Sequence, residues 1–117
     1  MPRCVMILED DVMISSDLAD FLLESGFEVA GPFESNRAAL AYLRENRPNS
    51  AAIDISVSDG DSSRTAERLI ELGVPYFVIS GRSQSGPMCW AWENAHWLEK
   101  PLTQQAFLLS ANLAREP

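Results

Sequence analysis

Five short apolar runs, each followed by a polar turn and most by a stretch of helical periodicity, leave this chain few ways to fold. The runs occupy residues 4–8, 27–33, 51–55, 74–80 and 95–98, with Gly31 and Pro32 breaking the second. In the third, Ala51, Ala52, Ile53 and Ile55 are small or β-branched on both faces, the mark of a buried strand. After the first run, Val12, Ile14, Leu18, Phe21 and Leu22 recur at the spacing of an amphipathic helix, and Gly26 stops it. Ser35 or Asn36 caps a second helix carrying Ala38, Ala39, Leu40, Ala41, Tyr42 and Leu43; it ends before Pro48 by way of Asn46. Ala66, Leu69, Ile70 and Leu72 form a third helix closed by Gly73. Pro87 opens a brief fourth with Met88, Trp90 and Ala91, and a last helix from Thr103 carries Phe107, Leu108, Ala111 and Leu113. Strands alternating with helices of this length require a parallel sheet covered on both faces, and right-handed crossovers limit its order.

At 117 residues the chain makes one domain, 1–117, with a single core. A net charge of −8 argues against direct nucleic-acid or anionic-membrane binding, since both need clustered Lys and Arg. It favours a cation or a basic protein surface as partner. Cys4 and Cys89 have no regular spacing, which fits free thiols in a reducing cytoplasm. Met1-Pro2-Arg3 leads straight into a five-residue apolar run, too short for a signal peptide, and no stretch reaches the length of a membrane span.

The polar residues that follow the strands carry the chemistry. The first strand ends in Glu9-Asp10, the third in Asp54, the fourth in Ser80 and the fifth in Lys100. In a parallel sheet these positions share the carboxyl edge, where ligands bind in open α/β folds. Taken singly, Asp54 serves as well for a turn cap, Asp10 and Asp11 for helix caps, Ser80 for an ordinary strand end and Lys100 for a solvated lysine. Asp11 falls beyond the strand end and reads as a cap. Together, three carboxylates, a hydroxyl and an ammonium make an oxygen-rich site suited to Mg²⁺ and phosphate. Clustered carboxylates repel, so a proton or a cation has to join them. Asp54 is then placed as an in-line nucleophile toward a phosphoryl group.

The ordered set Glu9-Asp10, Asp54, Ser80 and Lys100-Pro101 resembles a response-regulator receiver domain over essentially the whole chain. The resemblance implies a flavodoxin-like (βα)₅ three-layer sandwich with a five-stranded parallel sheet in order 2-1-3-4-5. It implies that Asp54 accepts a phosphoryl group from a sensor histidine kinase or phosphotransfer protein, and that Mg²⁺ is the cofactor. Asp10, Asp54 and the backbone carbonyl of Ser56 would hold the metal, with Glu9 acting through water. Lys100 and Ser80 would bind phosphate, Ser80 and Trp97 would form the switch, and the bond before Pro101 would be cis. The domain would be a signalling protein rather than an enzyme, beyond its self-catalysed phosphoryl transfer and autodephosphorylation. Where the family usually carries a Pro and a Gly after the acceptor, this chain has Ser58 and Ser62, and Trp97 replaces a Tyr or Phe. Ser80-Gly81 is similar to the corresponding pair in short alphaproteobacterial receivers, although that group's Thr and Tyr are missing.

Signalling would run through a downstream protein or a second copy of the chain. Met88, Cys89, Trp90, Trp92 and Trp97 (residues 88–97) and the last helix are the expected face. The chain is either a stand-alone receiver or one cut from a longer protein. Two other readings compete with the switch. A pseudo-receiver would keep the fold and bind partners without phosphate. A Mg²⁺-dependent phosphohydrolase of the haloacid dehalogenase type would need a second Asp where this chain has Ser56.

Overall fold

The computed structural model describes residues 3–79 in full and the backbone of residues 80 and 96–99. Its elements are β1 (Cys4–Leu8), α1 (Val12–Glu24), β2 (Glu28–Phe33), α2 (Asn36–Leu43), β3 (Ser50–Asp54), β4 (Ser56–Val57), β5 (Gly60–Asp61), α3 (Ser63–Glu71), β6 (Tyr76–Ser80) and β7 (His96–Glu99). Five strands form one parallel sheet in the order β2-β1-β3-β6-β7, which is the expected 2-1-3-4-5 when the long strands alone are numbered. β4 and β5 make a separate antiparallel ribbon where the sequence shows only a turn. The expected fourth and last helices lie outside the described residues.

The period of two along each central strand divides the core between two layers. Val5 and Ile7 of β1, Ala52 of β3 and Phe77 and Ile79 of β6 pack on Leu18 and Leu22 of α1. Met6 and Leu8, Ala51 and Ile53, and Val78 face the other way, onto Ala39 and Leu43 of α2 and Ala66 and Leu69 of α3. β1 and β3 sit at the centre, so apolar residues on both faces are what the fold requires of them. The small Ala51 and Ala52 let helices approach closely on either side.

Local signals set the helix ends. Asp11 caps α1, its carboxylate accepting from the N–H groups of Met13 (3.0 Å) and Ile14 (3.3 Å). Ser35 caps α2 by accepting from Ala38 N–H at 3.1 Å, which decides between the two candidates. Asn46 closes the same helix as expected, its backbone and side-chain N–H groups both donating to the Tyr42 carbonyl. Gly73, at φ 71°, ends α3.

One expectation changes. Gly31-Pro32 does not break the second strand. β2 continues to Phe33 with one extra residue, since Met6 pairs with Ala30 and Leu8 with Phe33. Pro32 is tolerated because β2 is an edge strand. Gly31, at φ 96°, is required: a Cβ there would meet the Phe33 nitrogen at 2.7 Å and the Ile7 carbonyl at 3.1 Å. Thr65, Ala66 and Leu69 form the buried face of α3, and Ile70 is 39% exposed.

Candidate functional site

Parallel pairing brings the acidic residues together. Leu8 of β1 lies beside Ile53 of β3, so the residues that follow, Glu9-Asp10 and Asp54, leave the sheet side by side. One carboxylate oxygen from each of Glu9, Asp10 and Asp54 lies within 4.8 Å of the others. The three differ in surroundings. Glu9 is 1% exposed, Asp54 is partly buried and Asp10 is exposed. The Glu9 backbone is held by its N–H donating to the Phe33 carbonyl at 2.9 Å, an extension of the bulged β2 pairing. Its carboxylate accepts from Asp11 N–H at 3.1 Å. Asp11 itself points away, into its cap.

Three like charges so close, one on a buried side chain, are costly unless a cation joins them. The donors are all hard carboxylate oxygens, the set that suits Mg²⁺ rather than a soft metal. Residues 4–36 add a wider field, holding eight acidic residues and no Lys, Arg or His. That stretch includes β1, α1 and β2, so the edge bearing Glu9 and Asp10 attracts cations. The residues fit a magnesium ion.

The other expected positions are reached in part. Ser56 opens β4 two residues beyond Asp54. Ser80 ends β6 one residue past Ile79, the partner of Asp54, which puts its backbone on the same sheet edge. Trp97 stands in β7 opposite Val78. The side chains of Ser80 and Trp97, together with Lys100, Pro101, Met88, Cys89, Trp90 and Trp92, lie outside the described residues. Cys4 is free, and burial pushes its thiol up, away from the range of a reactive nucleophile.

Sequence reasoning missed a polar network on the far side of Asp54. The Ser62 hydroxyl, fully buried, donates to the Asp54 carbonyl, and Ser62 N–H donates to the Ile55 carbonyl at 2.7 Å. Ser58 reaches the Glu34 carbonyl through its hydroxyl (2.9 Å) and its N–H (3.2 Å). The carboxylate of Asp59 accepts from the N–H groups of Asn36 (2.8 Å) and Arg37 (3.1 Å), at the N-terminus of α2. Those donors, Asn36 first, hold the Asp59 carboxyl below the usual range. The Ser63 hydroxyl and N–H do the same for Asp61. None of these partners except Ser63 is local, so the sequence marked Ser58 and Ser62 only as departures from the family pattern and gave no sign of what they bind.

No family model matches the chain. Among curated proteins, the transcriptional regulatory protein PrrA of Mycobacterium tuberculosis is 40% identical over 84 residues, 70% of this chain. The transcriptional regulatory protein PdtaR of the same species is 28% identical over 85 residues. The chain spans 35% and 42% of those proteins' lengths, respectively. Among solved structures, the signal receiver domain of a modulated diguanylate cyclase from Desulfovibrio desulfuricans G20 superposes with a TM-score of 0.81 at 24% identity, covering 98% of this chain and 94% of that one. A response regulator receiver protein from Sinorhizobium medicae WSM419 gives a TM-score of 0.81 at 21% identity and 98% coverage of both chains. Sheet order, the gathering of Glu9, Asp10 and Asp54 at its carboxyl edge and these likenesses converge. The chain belongs to the response-regulator receiver-domain family.

Proposed function

We propose that the chain is a phosphorylation-dependent signalling switch whose Asp54 accepts a phosphoryl group. The observation that carries this reading is the meeting of Glu9, Asp10 and Asp54 within reach of one cation. In the transfer, an Asp54 carboxylate oxygen attacks phosphorus in line. The bond from phosphorus to the donor, a phosphohistidine nitrogen of a kinase or phosphotransfer protein, breaks and leaves with its electron pair. The products are an acyl phosphate and, with a proton carried on the imidazole ring or taken from water, a neutral imidazole; attack by water on phosphorus later breaks the Asp54 O–P bond, releasing inorganic phosphate and restoring the carboxylate.

Magnesium, when bound, supplies positive charge to the phosphoryl oxygens. Asp10 and Asp54 would ligate it with the Ser56 carbonyl, and Glu9 would act through water. Lys100 and Ser80 carry phosphate binding in this reading, and Ser80 with Trp97 would relay the new charge to a partner face. The kinase, the downstream protein and the role of residues 88–97 belong to the proposal. The acidic stretch over residues 4–36 supports a partner with a basic docking surface.

Incubation with Mg²⁺ and a small-molecule phosphodonor, followed by intact-mass measurement, tests the function. One phosphoryl adduct that needs Mg²⁺ and disappears in Asp54→Asn is expected. No adduct with any donor would overturn the switch.

A further inference from the structure

Asn36 touches none of the three carboxylates, yet it holds together the loop on which the acceptor site depends. Its side chain is 5% exposed, and each of its polar atoms is used. Nδ2 donates to the Asp59 carboxylate at 3.1 Å and to the Asp61 carbonyl at 2.8 Å. Oδ1 accepts from the buried Thr65 hydroxyl at 2.6 Å. One amide thus joins the first turn of α2, the β4–β5 turn at Asp59, the end of β5 at Asp61 and the first turn of α3. The ribbon it clamps begins at Ser56, paired with Asp61. A two-residue ribbon has too few ladder bonds to hold its own shape, so the outside bonds must fix it.

We infer that Asn36 is a positioning residue for metal and phosphoryl binding, acting through Asp59 and Asp61 on the ribbon that carries Ser56. The inference rests on the proposed function, because it assigns Ser56 a part in holding Mg²⁺. A carbonyl serves a small, geometry-demanding cation only if its backbone is held in place. Free of Asn36, the ribbon keeps its residues but samples several orientations, and the cation binds more weakly. Chemistry at saturating Mg²⁺ is then little changed.

The test compares two variants of the full chain that act on the same helix turn. Asn36→Ala removes the clamp. Ser35→Ala removes the cap of α2, whose hydroxyl accepts from Ala38 N–H and makes no hydrogen bond to the ribbon. Calorimetric titration with Mg²⁺ is expected to show about tenfold weaker binding for Asn36→Ala, in line with the loss of groups that orient metal ligands, and unchanged binding for Ser35→Ala. Amide exchange over residues 56–62 should speed up in Asn36→Ala alone. Phosphorylation by a small-molecule donor should recover in that variant as Mg²⁺ is raised. Asp59→Ala, at an exposed position, should shift Mg²⁺ affinity in the same direction and stands in if Asn36→Ala fails to fold. Equal affinity in wild type and both clamp variants would overturn the inference alone, as would equal losses in Asn36→Ala and Ser35→Ala. Absence of Mg²⁺ binding by the wild-type chain would overturn the function itself, and the inference with it.

Discussion

The two sides of Asp54 are built on opposite principles. Toward β1, the chain brings Glu9 and Asp10 against it, carboxylates that repel one another unless a proton or a cation joins them. Toward α3, the residues after it are hydrogen-bonded outward at Ser58, Asp59, Asp61 and Ser62 to α2, α3, Glu34 and β3 itself. One side gathers like charge; the other is a closed set of hydrogen bonds. A site that is to bind Mg²⁺ and phosphate reversibly, as proposed, has use for both. In the proposed switch the clustered charge would supply affinity for the cation, and the hydrogen-bonded loop beside it would keep the donors in register.

The contrast can be broken first at Asp54. Asp54→Asn should abolish the phosphoryl adduct in intact-mass measurement. In the absence of metal it should also raise the urea midpoint, because one of three clustered charges is gone. A fall in metal-free stability would mean that the cluster is not in tension. On the other side, Thr65→Val should lower stability by about 1–3 kcal/mol in urea unfolding, since it leaves the buried Asn36 carbonyl oxygen without its donor. The signs differ because one substitution relieves a conflict and the other creates one.

Magnesium should sharpen the same division. At a concentration about one hundred times its dissociation constant, it should stabilise the wild-type chain by roughly 2.7 kcal/mol. It should do little for Asp10→Asn, measured by thermal unfolding with and without metal. A comparable gain in that variant would place the ion elsewhere.

Acid gives the smallest effect. Asp59 and Asp61 have folded-state pKa values below their ordinary ones, through the N–H donors at α2 and the Ser63 hydroxyl. Their contribution is therefore present above the usual carboxylate range and is lost as pH falls through the folded values. Urea midpoints of wild type should drop over that acid window, and those of Asp59→Ala should drop less. Identical slopes for the two would remove Asp59 from the account.

Much of this was readable in the residues. Short apolar runs with helical stretches between them pointed to the α/β class, and the resemblance implied the strand order that the sheet has. Asp11, Asn46 and Gly73 act as the local caps and stops their positions suggested, because their partners lie within four residues. Glu9, Asp10 and Asp54 could be assembled on paper because a parallel sheet places strand ends on one edge. The polar clamp could not. Asn36 and Asp59 are 23 residues apart and Asn36 and Thr65 are 29 apart, so nothing local distinguishes them from surface polar residues. The course of β2 was misread for a similar reason. Gly31-Pro32 looks like a break locally, but pairing of Leu8 with Phe33 carries the strand through it.

The central claim is that Asp54, and no other carboxylate of the cluster, takes the phosphoryl group. Treating the chain with Mg²⁺ and a small-molecule phosphodonor, then reducing with borohydride, converts an aspartyl phosphate to homoserine at the residue that carried it. Peptide mapping should find Asp54 converted, with Glu9, Asp10 and Asp11 untouched. Conversion at another carboxylate, or at none while Mg²⁺ is bound, would contradict the account.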